Sequence, residues 1–241
     1  MTTHLMIPDP QAAQDTPVKH FKSLGRFIQE FRPDKIICIG DLYDFPSLSS
    51  YASRLEADGR RYQIDVDAGN RTIDFINEAV AGTRAYNPEL HFCYGNHEMR
   101  VMRMLGLHPE LEGKMGFNDL TSIAHWTQHA FLDLAKIDGV NYTHYLAANM
   151  TGRPLGGNCL NKLNKEPFSF SMGHVQTFDY AVKFTKDKRR LHGLVAGAFY
   201  LHDEAYKRQA NYHWRGVVWK DNVKNGDYDI NPIHIDRIMR F

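Results

Sequence analysis

An α/β sandwich, two mixed β-sheets packed face to face with helices outside, is the fold this 241-residue chain predicts. Three observations carry that expectation. Short apolar runs alternate with amphipathic segments through residue 95. The order strand, helix, strand, helix, strand calls for a parallel sheet with right-handed crossovers. Past residue 190, apolar and polar positions alternate as they do in antiparallel strands. The chain is long enough to bury a full core, and one domain spanning 1–241 is expected.

The first run, "HLMI" at 4–7, reads as a strand that stops at "PDPQ". Asp15-Thr16-Pro17 then offers a helix cap and a first-turn proline, and Val18, Phe21, Leu24, Ile28 and Phe31 recur at helical spacing. "KIICI" at 35–39 is a continuous β-branched run, hence a strand buried on both faces, ending at Gly40-Asp41. A second helix, about 62–86, carries Ile64, Ile73, Ile76, Ala79 and Val80 on one side, and "LHFCY" at 90–94 is the third strand. Residues 96–135 read as mostly helical, through Met99, Met102, Leu105, Ile123, Trp126 and Phe131, with breaks at Gly106 and Pro109. A helical cap at about 99–135 is therefore expected beside the site. "GVNYTHY" (139–145) and "FSFSMGH" (168–174) are strand-like, separated by a glycine-containing loop at 151–158. The segments 191–201, 213–223 and 228–239 alternate enough to be antiparallel strands.

Composition narrows the function classes without choosing one. Lysine plus arginine (29) nearly cancels aspartate plus glutamate (28), so no global field points to nucleic acid or membrane. Cys38, Cys93 and Cys159 form no CxxC pair, which fits a reducing cytoplasm. No stretch reaches the roughly 18 apolar residues of a membrane span, and no leader is expected. A cytoplasmic location follows.

Chemistry is suggested first by "HFCYGNHEMR", residues 91–100, where an apolar run stops at glycine and then presents Asn96, His97 and Glu98 in succession. All three are costly to bury without partners. Each early strand likewise ends in polar residues: Asp9, then Asp41, then Asn96 and His97. Ligands of α/β sheets gather beyond the carboxyl ends of the strands. Taken in order, Asp9-Pro10-Gln11, Gly40-Asp41-Leu42-Tyr43-Asp44, Gly95-Asn96-His97-Glu98, His144 after a strand, and Gly173-His174-Val175-Gln176 resemble the successive motifs of calcineurin-like metallophosphoesterases. The stretch "GDLYDFPSL" looks most like small members encoded by bacteriophages, which would put the protein in a host cytoplasm.

The resemblance implies a four-layer αββα sandwich, with the later strands in its second sheet, and a metal-dependent phosphoesterase. In it, two divalent ions share a carboxylate and a hydroxide that attacks phosphorus in line. By that pattern Asp41 bridges the ions, Asp9 completes the first, and Asn96, His144 and His174 hold the second. His97 matches the imidazole that assists the leaving oxygen, and Asp44 and Glu98 would orient ligands from behind. The chain departs from the pattern at Gln11 and Gln176, which stand where the family usually carries histidine, both on the first metal. An amide oxygen is a harder donor than imidazole, so manganese is the leading choice of metal, ahead of magnesium, calcium, zinc or iron.

Arg100 and Arg103 follow the "GNHE" turn and are candidates for clamping a phosphate oxygen. "KFTKDKRR" at 183–190 is a basic run, read as a solvated helix end with the alternative of a phosphate-backbone contact. His125 and His129, four apart, read as a helix face, and His91, His192, His202, His213 and His234 match no ligand position. The substrate class is a phosphate ester: a phosphodiester, a small nucleotide or a nucleic-acid end. Two rivals stay open, a nuclease and a non-catalytic scaffold whose first metal site has decayed.

Overall fold

The computed structural model describes residues 1–50, 59–203 and 213–241. The first sheet holds six strands in the order β11-β10-β1-β2-β3-β4: β1 (Thr2–Ile7), β2 (Lys35–Cys38), β3 (Glu89–Cys93), β4 (Thr127–His129), β10 (Gly216–Lys224) and β11 (Asp227–His234). Strands β1 to β4 are parallel, and β10 and β11 join antiparallel beyond β1. The second sheet runs β5-β6-β7-β9-β8, with β5 (Ala135–Ile137), β6 (Val140–Tyr142), β7 (Phe170–Met172), β8 (Phe178–Phe184) and β9 (Arg190–Ala196). Both sheets are mixed, as predicted. Helices are α1 (Lys19–Phe31), α2 (Tyr62–Ala81), α3 (Met99–Leu107), α4 (Cys159–Lys165) and α5 (Ile235–Ile238).

Strand alternation builds the layers. Leu5, Ile7, Ile36 and Cys38 point outward and pack with Phe21, Leu24 and Ile28 of α1 and Ile73 and Ile76 of α2. Their neighbours Met6, Ile37 and Ile39 point inward against Val140, Tyr142, Leu194 and Ala196 of the second sheet. The outer face of that sheet, through Phe170, Met172 and Val195, packs on Cys159 and Leu163 of α4. With period-two side chains, each strand serves two layers at once. The result is αββα.

Several expectations need correction. The cap expected at 99–135 is α-helical only in α3; after Pro109 it breaks into three short 3-10 turns and ends in β4, paired in register with β3. Gly113, at φ +75°, sits where a helix cannot continue. His129 is thus on a strand, its ring stacked 5.4 Å from His91, and not on a shared helix face with His125. Helix α1 starts at Lys19 with no side-chain cap, because the Thr16 hydroxyl turns back to Ala13. The last strands β10 and β11 extend the first sheet instead of the second. The basic run 183–190 is no helix end: it runs from the end of β8 through a turn into β9, and there Arg189 pairs with Asp187 and Arg190 with Asp227. No helix among the described residues is long and apolar enough to cross a membrane.

A buried polar chain joins the two sheets. Lys220 reaches the Tyr142 hydroxyl (3.0 Å), Tyr142 meets His4 Nδ1 (2.7 Å), and His4 Nε2 faces Asp138 (2.9 Å). Burial pushes the His4 imidazole down to about 4 despite its bond to Asp138, and burial likewise lowers His20, on α1, to about 4. Both rings are neutral when folded but protonate near 6.5 when unfolded. The stability they contribute is therefore full above pH 6.5 and is lost as pH falls towards 4, up to about 3 kcal/mol for each ring. Thermal unfolding of metal-free protein should show this loss between pH 6.5 and 4. His20→Phe, which keeps the aromatic packing, should flatten the profile; an unchanged slope would rule His20 out as a contributor.

Candidate metal centre

The carboxyl ends of β1, β2, β3, β6 and β7 lead into five turns that carry Asp9 and Gln11, Asp41 and Asp44, Asn96 to Glu98, His144, and His174 and Gln176. Five of these residues hold left-handed backbone: Asp9 (φ 37°), Gln11 (46°), Asp41 (51°), His174 (65°) and Gln176 (62°). Each costs roughly 1 kcal/mol or more for a residue with a Cβ, and such strain gathers at functional sites. Glycine supplies the space. A Cβ on Gly95 would lie 2.2 Å from Asp41 Oδ1, and one on Gly173 2.2 Å from Asp9 Oδ1.

The two carboxylates are held alike. Asp9 Oδ1 accepts the His174 backbone N–H (3.0 Å), and Asp41 Oδ1 accepts that of His97 (2.9 Å). Asp9 Oδ2 is left buried with no hydrogen-bond partner, as is Gln11 Oε1. Asp41 Oδ2 lies 3.3 Å from His144 Nε2 and 3.6 Å from His97 Nε2. His144 Nδ1 donates to the Ile39 carbonyl (2.9 Å), which turns Nε2 into the site and leaves it as the nitrogen able to ligate an ion. There Nε2 meets Asn96 Oδ1 at 2.8 Å, and His174 Nδ1 meets the same oxygen at 2.8 Å. Protons on the rings hold these contacts together without an ion, and a cation can take their place: ligand atoms of Asp41, His144 and His174 all lie within 4.8 Å of one another. Carboxylate, amide oxygen and imidazole together fit a divalent ion.

Electrostatics agrees. Burial pushes the Asp9 carboxyl up to about 7, with His144 opposing. Burial works the same way on Asp41, yet His144 and His97 hold it below the usual carboxylate range. Burial would lower His144, but Asp41 beside it raises the imidazole to about 9. Without an ion, protons collect where positive charge is wanted.

The supporting residues have distinct tasks. Fully buried Glu98 accepts three backbone N–H groups, from Asp41 (3.0 Å), Tyr43 (2.9 Å) and Gly95 (2.8 Å), so it joins the second and third turns. Asp44 Oδ1 holds His97 Nδ1 at 2.6 Å. Burial opposes charge on His97, but Asp41 and Asp44 raise its affinity for a proton. Arg100 braces this turn, with Nη1 on the Asp44 carbonyl (2.6 Å) and Nη2 at 3.1 Å from His97 Nε2. Arg103 is drawn away from the site, donating to Ser50 Oγ and the Leu48 carbonyl. Gln176 is buried and its Oε1 accepts the Tyr200 hydroxyl at 3.2 Å. Tyr200, and Tyr145 with its ring 4.8 Å from that of His174, escaped the sequence reading. Tyr145 directly follows His144, which was its one local signal.

Among solved structures, the chain is similar to the phosphoesterase YfcE of E. coli at 10% identity, covering 97% of this chain and 99% of that one, with a TM-score of 0.45. No curated protein matches it. The family model described as calcineurin-like phosphoesterase matches residues 3–232, nearly the whole chain and every turn of the site. With that match and the cluster at the strand ends, the chain belongs to the calcineurin-like phosphoesterases, hydrolases that act on phosphate esters.

Proposed function

We propose that the chain is a phosphodiesterase or small-nucleotide phosphohydrolase that works with two divalent ions, manganese first among the candidates. One observation carries the reading: ligand atoms of Asp41, His144 and His174 lie within 4.8 Å of one another, and Asn96 Oδ1 lies 2.8 Å from a nitrogen of each imidazole. Asp41 would bridge, Asn96, His144 and His174 would hold one ion, and Asp9, Gln11 and Gln176 would complete the other. Bound there, divalent ions lower the pKa of water and draw charge from phosphoryl oxygens. The protein's own part is positional. Asp44 fixes the His97 ring through Nδ1, so that Nε2 looks towards Asp41 Oδ2 and the place of the leaving oxygen. Protonated His97 hands its Nε2 proton to that oxygen, and Asp44 stabilises the imidazolium beforehand. Arg100, now beside Nε2, has a guanidinium fork suited to a phosphoryl oxygen once substrate is present. A proton donor matters most for poor leaving groups, which favours a diester.

The reading is tested with bis-p-nitrophenyl phosphate and p-nitrophenyl phosphate, each with Mn²⁺ and with chelator. Hydrolysis of the diester is expected to exceed that of the monoester and to vanish on chelation. No turnover of either under any metal would instead indicate a binding protein that keeps the fold.

A further inference from the structure

We infer that the two ion positions are chemically unequal: one takes a nitrogen-ligated transition metal, and the other is an all-oxygen position, built by Gln11 with Asp9, Gln176 and Asp41, that takes a hard cation such as magnesium, calcium or manganese. This rests on the dinuclear reading above and adds the identity and affinity of each ion.

The observations come from two sets of donors. One set holds both imidazoles, with His144 Nδ1 on the Ile39 carbonyl and both rings on Asn96 Oδ1. The other set holds oxygens alone. Asp9 is fully buried and Gln11 is 2% exposed, yet Asp9 Oδ2 and Gln11 Oε1 have no hydrogen-bond partner. A buried carboxylate oxygen and a buried amide oxygen without partners are each costly to leave desolvated. Nearby donors are already committed: the His174 N–H goes to Asp9 Oδ1, and the Gln11 and Ala12 N–H groups go to the Asp41 and Leu42 carbonyls. Those last two bonds fasten the Gln11 turn to the Asp41 turn. Left-handed backbone at Asp9, Gln11 and Gln176 adds strain that a purely structural loop would not need.

Donor chemistry then separates the positions. Two imidazoles with a carboxylate and an amide suit zinc, iron or manganese, and bind zinc tightly. Carboxylates and amide oxygens without nitrogen suit magnesium, calcium or manganese and hold zinc weakly. Zinc should therefore stay in the first position and exchange out of the second.

Equilibrium dialysis of the purified chain against zinc with excess magnesium, with bound metals counted by mass spectrometry, tests this. About one zinc should remain per chain beside about one magnesium, the two sites differing in zinc affinity by at least about tenfold. Gln11→Leu should lose the magnesium and keep the zinc. Gln11→His should retain a second zinc. Two zinc ions held with equal affinity by the unaltered chain, or Gln11→Leu keeping both ions, would overturn the inference. Circular dichroism of each variant in chelator confirms that it folds. Absent hydrolysis with unequal metal counts would overturn the phosphodiesterase reading alone, and hydrolysis with equal counts would overturn this inference alone.

Discussion

His97→Ala should lower kcat by about 10²- to 10⁴-fold, with KM changed little. The ring sits between the Asp44 carboxylate at 2.6 Å and Asp41 Oδ2 at 3.6 Å, and its place depends on no metal bond. Losing it removes a proton donor while leaving Asp41, Asn96, His144 and His174 in position. The loss should also depend on the leaving group. A p-nitrophenolate departs with little help, so the defect should be smaller on bis-p-nitrophenyl phosphate than on an alkyl phosphodiester. Steady-state kinetics on the two substrates measures both effects. An equal loss on both would mean that His97 binds phosphate and does not protonate the leaving oxygen.

Glu98→Gln should destabilise the fold by about 3 kcal/mol, although Glu98 touches no candidate ligand side chain. Its two oxygens accept the Asp41, Tyr43 and Gly95 N–H groups from inside the protein. An amide has one oxygen, so its NH₂ would face at least one backbone donor, leaving two donors opposed and an N–H unsatisfied. The Asp41 turn would shift with it. Urea unfolding in chelator should show a lower midpoint with an unchanged slope, and metal affinity should fall as well. A midpoint within the error of the unaltered chain would mean that the backbone turns hold without Glu98.

Much of this was legible in the chain because the site is built from strand termini. Continuous apolar runs such as "KIICI" announce buried parallel strands, and the polar residues that follow them must lie on one rim whatever the remaining topology. The αββα layering followed from the same alternation. What the sequence hides is pairing at long range. Strands β10 and β11 alternate equally well for either sheet, and only the neighbour of β1 decides the matter. Strand β8 was overlooked because its residues Phe178 to Ala181 are half-buried and its end merges into the charged turn at 185–189. The orientation of His144 depends on a carbonyl 105 positions away, at Ile39. Arg100 and Arg103 share a helix and a charge, yet one reaches His97 and the other the turn at 48–50, since the fold of that turn sets where carbonyls point.

The central claim is that Asp41 stands between two cations, and a crystal grown with Mn²⁺ and measured at the manganese absorption edge tests it most directly. Two anomalous peaks are expected on either side of the Asp41 carboxylate, one within ligand distance of Asn96, His144 and His174 and the other beside Asp9 and Gln11. Peaks elsewhere, or none at Asp41 while His144 and His174 still close on Asn96, would contradict it.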